Sequence, residues 1–437
     1  MATLLLILLA VLALVIVLEV IWNPARIYQY PFAAAAVFLG FIVPPLYGLL
    51  HASNLPRWGL ERYTLMCALC LAACRLGDVC ARWYSRPRAS SVLYDAHRWL
   101  LGSALLILVG GLAYLKSRAL FRAEFDMSTG LPTALSFFVC LLRYGFVMAL
   151  LHFLYTGNRC SLLLACLAGA YYLDRIIFFG RRLDTVEFAF AIAGAVWFTW
   201  RRRLPRAVAL SAIVVAALAV ASTGFYRGVV VSTTGERDWS RLKEVNVLEE
   251  FHKATSEGST ETLSGVYLMA AGVASKGFDL GLYHWNGLVS DYVPAQLFGA
   301  ARKESLYVPT VNLIEVAQKE YSFTPSPGTT LTGMVDCFGS FWYLGCLEFF
   351  VIGYLMQRLY LRADGGSMMA QAIYVFMMTQ ALHAITHSTT WFVRPWVHML
   401  FFWIPVMLYA TAAQLVPVPE PQMDDLDAPA RIGLPPI

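Results

Sequence analysis

Long apolar stretches separated by short polar segments dominate the hydropathy pattern of the chain. About eleven of these stretches reach roughly 20 residues, the length that an α-helix needs to cross the hydrocarbon core of a bilayer. The pattern therefore predicts an all-α polytopic membrane protein with about eleven transmembrane helices. The predicted spans are residues 3–22, 31–51, 62–82, 98–116, 131–156, 160–180, 184–200, 206–224, 337–358, 368–388 and 396–415.

One long segment, residues 225–336, separates the eighth predicted span from the ninth. Within it, apolar residues recur at near-helical spacing from Trp239 to Phe251, which predicts an amphipathic helix. Residues 263–274 are apolar but too few to span, so they form a candidate re-entrant piece. A loop of this length in a compact protein is expected to be folded and functional. The domain prediction is thus 1–224 for helices one to eight, 225–336 for the loop, 337–415 for helices nine to eleven, and 416–437 for a disordered tail.

Composition agrees with a membrane protein rather than a soluble one. Apolar residues make up 59% of the chain, charged residues 14%, and the mean hydropathy is +0.60. Soluble proteins contain about 25% charged residues. The net charge of +5 resides largely in short loops, so it bears on topology and does not indicate nucleic-acid binding.

Positive charge in the short loops predicts the orientation of the chain. The strongest cytoplasmic marker is the run Arg201, Arg202, Arg203 and Arg206. Counting spans outward from this run places the N-terminus outside and the C-terminus in the cytoplasm. The long loop then faces outward.

Ionised side chains inside apolar spans are costly and are candidates for function. Arg143 lies in the middle of the fifth span, and Asp174 and Glu187 lie on the next two spans. Either Arg143 lines a wet cavity and binds an anionic group, or it forms a structural ion pair with one of these acids. Arg75 and Asp78, spaced i, i+3, are expected to neutralise each other.

Two histidines and an arginine lie at the outer end of the tenth span and beyond it. His383 and His387 are one helical turn apart, and Arg394 follows. The spacing differs from the H-E-x-x-H zinc motif and no third ligand is near, so no metal is predicted. A neutral His387 is a candidate base for a hydroxyl nucleophile, and Arg394 a candidate anion ligand. His383 is either a substrate contact or part of a hydrogen-bonded pair that closes the bundle.

Further candidate residues lie in the long loop and at its end. Arg227, Arg237, Arg302 and Lys303 are cations that could converge on phosphate oxygens. Asp336 stands at the mouth of the ninth span, where it is either a base or a helix N-terminal cap.

Together, these features resemble bacterial O-antigen and exopolysaccharide repeat-unit polymerases of the Wzy type. The resemblance covers about the last half of the chain. It rests on the large outward loop before the last spans, on Val293-Pro294 followed by Arg302-Lys303, and on Asp336-x-Phe338-Gly339 followed by Gly345. Lys303 is followed by Glu304 where the family's stretch has proline.

The resemblance implies a GT-C-like helical glycosyltransferase in the bacterial inner membrane that needs no cofactor. Such enzymes join oligosaccharide repeat units carried on undecaprenyl pyrophosphate at the periplasmic face. A flippase and a chain-length regulator are candidate partners besides the lipid-linked substrate and membrane lipid, and nucleic acid is not expected. The implied base is His387 or Asp336. The implied substrate-binding residues are Arg143, Arg227, Arg237, Arg302, Lys303, His383 and Arg394.

Three other functions are compatible with the sequence. An O-antigen ligase has similar helices, a similar loop and similar arginine and histidine candidates. A polysaccharide flippase or small-molecule transporter usually keeps its polar site at mid-membrane, whereas the polar candidates here concentrate towards the outer face. The third alternative is a scaffold subunit that catalyses no reaction.

Overall fold

The computed structural model describes residues 1–52, 54–84, 94–120, 131–200, 260–275, 277–293, 295–326 and 331–411. This part of the chain is almost entirely helical, and its only β pairing is an isolated bridge between Tyr94 and Thr411. Ten of its helical segments are long and apolar enough to cross a membrane. The protein is therefore an all-α, multi-pass membrane protein.

The ten segments coincide with ten of the predicted spans. The first seven are α1 (Ala2–Trp22), α2 and α3 (Tyr30–Val37 and Val43–Leu49, joined by a π-helical turn), α4 (Arg57–Trp83), α5 (Ala96–Leu120), α6 (Leu131–Thr156), α7 (Arg159–Phe179) and α8 (Arg182–Trp200). The predicted span 206–224, the amphipathic helix from Trp239 to Phe251 and the tail 416–437 lie outside the described residues.

The long loop contributes five helices to the described structure, and three further spans follow. The loop helices are α9 (Thr260–Ala274), α10 (Leu282–Tyr292), α11 (Ala295–Phe298), α12 (Ala300–Glu304) and α13 (Leu313–Tyr321). The last spans are α14 (Gly333–Phe341) with α15 (Cys346–Asp364), then α16 (Met368–Thr386), then α17 (Thr390–His398) with α18 (Ile404–Tyr409).

The candidate re-entrant piece is the helix α9, which packs into the bundle. Nine of its fifteen residues are buried. A Cβ atom at Gly59 of α4 would lie 2.9 Å from the carbonyl oxygen of Val266, so the two backbones approach closely at this point. The helix is too short to cross a bilayer, and this contact fixes it beside the first turn of α4.

Two glycines allow α4 and α15 to pack closely side by side. A Cβ atom at Gly77 would lie 2.1 Å from the carbonyl oxygen of Phe350, and one at Gly353 would lie 2.2 Å from that of Cys74. Small residues at facing positions are a common means of close helix approach in membranes. This contact fixes the position of α15 along α4. It therefore also fixes the position of Glu348, an acid in the first turn of α15.

One end of the bundle, called here the arginine end, carries a partly buried ionic cluster around the buried Asp78. Arg75 pairs with Asp78 as predicted and also lies 2.6 Å from Glu19. Arg82 lies 2.6 Å from Asp78, and Arg26 lies 3.4 Å from Glu19. The opposite end, where the loop helices α9 to α13 and the start of α14 pack, is called the loop end.

Candidate functional site

Asp336 forms the centre of a polar site at the loop end. Its side chain is only 4% exposed. One carboxylate oxygen accepts hydrogen bonds from the backbone N–H of Thr389 (2.8 Å), from the Thr389 hydroxyl (3.0 Å) and from the Ser388 hydroxyl (2.8 Å). The carboxylate therefore anchors the start of α17. A helix cap is one of the two roles considered for Asp336 from the sequence. The helix that Asp336 chiefly caps is α17, whose start near Ser388 lies 52 residues farther along the chain.

A histidine from the loop joins this carboxylate to a second one. His284 Nε2 lies 2.7 Å from the Thr389 hydroxyl and 3.3 Å from Oε2 of Glu348. The four residues Asp336, Thr389, His284 and Glu348 are called the acid–histidine network below. They come from four separate elements, α14, the start of α17, α10 and α15, so the network exists only in the folded bundle.

The chain turns sharply to place His284 in this network. Gly281 precedes α10 with φ = 85°, a left-handed conformation that a glycine adopts without steric cost. The Asp279 carboxylate accepts a hydrogen bond from the Gly281 N–H at 2.9 Å. This turn starts α10 so that His284 lies in its first helical turn and faces α15.

The hydrogen-bond pattern assigns a consistent set of donors. Thr389 has one hydroxyl hydrogen, which it donates to Asp336, so its lone pair accepts a hydrogen bond from the His284 N–H. Burial by itself would lower the pKa of His284, but the hydrogen bond to Glu348 and the nearby carboxylates raise this pKa above its usual value. His284 thus links Glu348 directly, and Asp336 through the Thr389 hydroxyl, in one network.

Glu348 has a carboxylate oxygen that is buried without a hydrogen-bond partner among the described residues. The hydroxyl of Ser340 is likewise buried without a hydrogen-bond partner among the described residues. Both side chains line an apolar cavity of about 560 Å³, whose walls include Phe278, Trp342 and Leu344. Leu344 is 71% exposed, so the cavity opens on the outer surface of the bundle. An unsatisfied carboxylate oxygen in a cavity can accept a proton or a hydrogen bond from a ligand.

Two predicted cations contact the last turn of α10 from other helices. Arg394 Nη1 is 3.0 Å from Oδ2 of Asp291, and Lys303 Nζ donates to the backbone oxygen of Ser290 at 2.8 Å. Burial raises the pKa of Asp291, although Arg394 and Lys303 both lower it. The structure thus brings Arg394 and Lys303 together around one acid. Arg302, also in α12, is exposed.

The histidine pair stands next to the network but forms no hydrogen bond with Asp336. The rings of His383 and His387 are 4.9 Å apart, and both lie against Trp391. His387 Nδ1 lies 2.9 Å from the Thr386 hydroxyl, and burial lowers the pKa of His387. His383 is 7% exposed and its Nδ1 has no hydrogen-bond partner among the described residues.

Arg143 is held by acids on a neighbouring helix. Its guanidinium lies 3.1 Å from Asp184 and 3.1 Å from Glu187, both on α8. The other acid considered from the sequence, Asp174, lies 2.8 Å from Arg118 instead. These ion pairs favour the structural reading of Arg143, and we leave it out of the site proposed below.

Two predicted binding residues, Arg227 and Arg237, lie outside the described residues. Among the residues that are described, no group of three or more histidine, cysteine or acidic side chains is arranged to hold a metal ion.

Three members of the network, Thr389, His284 and Glu348, are not among the residues predicted from the sequence. Glu348 could have been recognised in the sequence as a candidate, because it is an acid within an apolar span. No local sequence feature marks His284, because its hydrogen-bond partner Thr389 lies 105 residues away in the chain.

The chain matches no protein-family model, no curated protein and no solved structure. Its function is therefore argued from the site itself.

Proposed function

We propose that the protein is a polysaccharide polymerase that joins undecaprenyl-pyrophosphate-linked oligosaccharide repeat units. In this proposal it is a GT-C-like membrane glycosyltransferase of the bacterial inner membrane, with the loop end in the periplasm. The N-terminus is then periplasmic and the C-terminus cytoplasmic. The ionic cluster at the opposite end, with Arg26, Arg75 and Arg82, supports this orientation because arginine is enriched on the cytoplasmic side.

The observation that carries the proposal is that Glu348 lines an apolar cavity and has a carboxylate oxygen without a hydrogen-bond partner in the part of the chain that the structure describes. Transfer to a sugar hydroxyl needs a base next to that hydroxyl. A substrate carried on a polyprenyl lipid also needs an apolar surface next to the reacting groups. Glu348 and the cavity around it combine the two requirements at one place, at the end of the bundle where the cations also lie.

The reaction balances with groups that this chain supplies. The acceptor hydroxyl oxygen attacks the anomeric carbon of the donor chain, and the bond from that carbon to the pyrophosphate oxygen breaks. The hydroxyl proton passes to Oε1 of Glu348. Undecaprenyl pyrophosphate leaves with the electron pair, and cations near the leaving oxygens stabilise its developing charge.

Each member of the network has a distinct role in this scheme. Glu348 is the base, in place of His387 or Asp336, because one of its carboxylate oxygens has no hydrogen-bond partner among the described residues and the residue lines the cavity. Asp336 positions Thr389, and His284 holds the second oxygen of Glu348. Arg394 and Lys303 are the pyrophosphate ligands, which would exchange their contacts around Asp291 for phosphate oxygens.

The test uses purified protein in lipid vesicles supplied with lipid-linked repeat units, and measures product length. Removing a general base typically costs a factor of about 10²–10⁴ in rate, so Glu348→Gln should release almost no polymer. The matched control is Glu304→Gln, which changes an exposed acid in the loop helix α12. Normal polymer from Glu348→Gln would contradict the assignment of the base. Normal polymer from Glu348→Gln, Asp336→Ala and His387→Ala alike would remove all three candidate bases.

A deletion strain separates polymerase from the alternative functions. Loss of a polymerase leaves single repeat units on the cell surface. Loss of an O-antigen ligase leaves finished polymer on its lipid carrier, and loss of a flippase leaves lipid-linked units on the cytoplasmic side. Only the first result agrees with the proposal.

A further inference from the structure

A row of aromatic side chains crosses the loop end and reaches the cavity beside Glu348. The row consists of Phe323, Tyr267, Tyr321, Trp58 and Trp342, with Arg62 between the two tryptophans, and it is called the aromatic row below. Its members come from α4, α9, α13 and the turn after α14, and from the segment after α13. No part of the acid–histidine network belongs to it.

The first four members of the row, Phe323 to Trp58, are in ring contact. Tyr267 stacks on Phe323 with centroids 4.1 Å apart and planes 7° apart. The Tyr267 and Tyr321 centroids are 6.2 Å apart, and those of Tyr321 and Trp58 are 6.4 Å apart. These four rings therefore form one continuous series of contacts, and Trp342 joins it through Arg62.

Arg62 links the row to the cavity. Its guanidinium carbon lies 5.6 Å from the ring centroid of Trp58 and 5.2 Å from that of Trp342. Trp342 lines the cavity together with Glu348. Among the described residues Arg62 forms no ion pair, and a guanidinium carries five N–H donors in a planar arrangement.

The length of α4 places Trp58 above the hydrocarbon core. The helix has 27 residues, which is about 40 Å at 1.5 Å per residue, whereas the core is about 30 Å thick. Trp83, 80% exposed, marks the arginine end of the helix. Counting about 20 residues back from Trp83 along a helix parallel to the bilayer normal puts the other boundary near residue 63. Trp58, which is 38% exposed, then lies on the aqueous side.

We propose that the aromatic row binds the sugar rings of the acceptor oligosaccharide and leads its terminal hydroxyl to Glu348. The C–H bonds on one face of a pyranose ring are weakly positive, and the face of an aromatic ring is negative, so the two stack. The Arg62 guanidinium supplies donors for sugar hydroxyls between the stacking positions. This inference rests on the proposed function and names the glycan-binding part of the same site.

The test titrates protein in lipid nanodiscs with the repeat-unit oligosaccharide, released from its carrier by mild acid and therefore free of lipid and pyrophosphate. Binding is followed by calorimetry. The double variant Trp58→Leu, Tyr321→Leu should bind about tenfold more weakly, since it loses two aromatic faces. The control Trp83→Leu removes an exposed tryptophan at the arginine end and should bind as the wild type does.

A second measurement separates glycan binding from membrane anchoring. In nanodiscs made with brominated phosphatidylcholine, the fluorescence contributed by Trp58 is the difference between the wild type and Trp58→Leu. We expect little quenching of this contribution and stronger quenching of that from Trp83. Strong quenching of Trp58, with no loss of oligosaccharide binding in the double variant, would show an interfacial anchor and overturn the inference.

The two proposals fail in different ways. Unchanged oligosaccharide binding in the double variant, with polymer still lost in Glu348→Gln, overturns the aromatic row alone. Absence of any oligosaccharide binding by the wild type overturns the row as well. Normal polymer in Glu348→Gln contradicts the catalytic assignment, whatever the titration shows.

Discussion

The guanidinium of Arg394 lies against the backbone of Gly287, with Nη2 2.9 Å from the position that a Cβ atom would occupy there. Gly287 lies inside α10, one helical turn beyond His284. A methyl group at this position would displace the far end of a long side chain and leave the backbone in place. The contact thus provides a way to move Arg394 without removing it.

Gly287→Ala should lower the rate of polymer formation by about 10–100-fold, because displacement of a phosphate ligand by about 1 Å is costly to transfer. The unfolding temperature should stay the same or rise, since alanine is favoured over glycine inside a helix. Polymer length and thermal unfolding of the purified variant are the two measurements. Gly339→Ala is the control, because its Cβ would meet Leu313 at an ordinary 3.6 Å. Full activity in Gly287→Ala would argue against Arg394 as a phosphate ligand.

The bridge formed by His284 makes stability depend on pH. The folded-state pKa of His284 is raised, so the stabilising contribution is complete below the unfolded pKa of about 6.5 and is lost as the pH rises through the folded value. The unfolding temperature in detergent should therefore fall across this range. His284→Gln should reduce the fall, whereas His97→Gln, an exposed histidine at the arginine end, should not. An identical pH profile for wild type and His284→Gln would refute the bridge.

The spans could be predicted from the sequence because the length of an apolar stretch is a local property of the chain. Each helix in a bilayer satisfies its own backbone hydrogen bonds, so about 20 apolar residues suffice to identify it. Ten of the eleven predicted spans are helices in the described structure. Even the stretches interrupted by Arg75 and Asp78, or by Asp174, are helical, because these charges pair with partners in or across helices.

The site could be predicted only in part, because its contacts join distant parts of the chain. Asp336 was identifiable from its place at the mouth of a span, but three of its four hydrogen-bond donors among the described residues lie at the start of α17. His284 looks like an ordinary loop residue until α10 packs against α15. Glu348 could have been found by asking which acids fall within apolar spans, the same reasoning that selected Arg143.

The close contact between α4 and α15 should tolerate no added methyl group. In Gly77→Ala and in Gly353→Ala the new Cβ would overlap a backbone carbonyl oxygen, at 2.1 Å and 2.2 Å. Backbone atoms cannot move as a side chain does, so each variant should lose about 1–3 kcal/mol of stability or more. Thermal unfolding and yield of the detergent-solubilised protein measure the effect. Gly111→Ala, whose Cβ would have its nearest neighbour at 4.0 Å, should unfold like the wild type.

Arg143 offers a separate test of whether a buried cation serves structure or substrate. Its side chain is 15% exposed, and its acidic partners Asp184 and Glu187 are 1% and 2% exposed. Arg143→Met would leave these acids short of a partner, which typically costs about 3–5 kcal/mol in a buried pair. We expect a large fall in unfolding temperature.

The double variant Arg143→Met, Glu187→Gln distinguishes the two roles of this arginine. It removes one positive and one negative charge together, so part of the lost stability should return. If Arg143 is structural, polymer formation should recover in step with stability, because no phosphate contact has been lost. If the arginine binds the pyrophosphate, stability should return while polymer formation stays low. Recovery of both therefore excludes Arg143 as a ligand and leaves Arg394 and Lys303 as the cations of the proposed site.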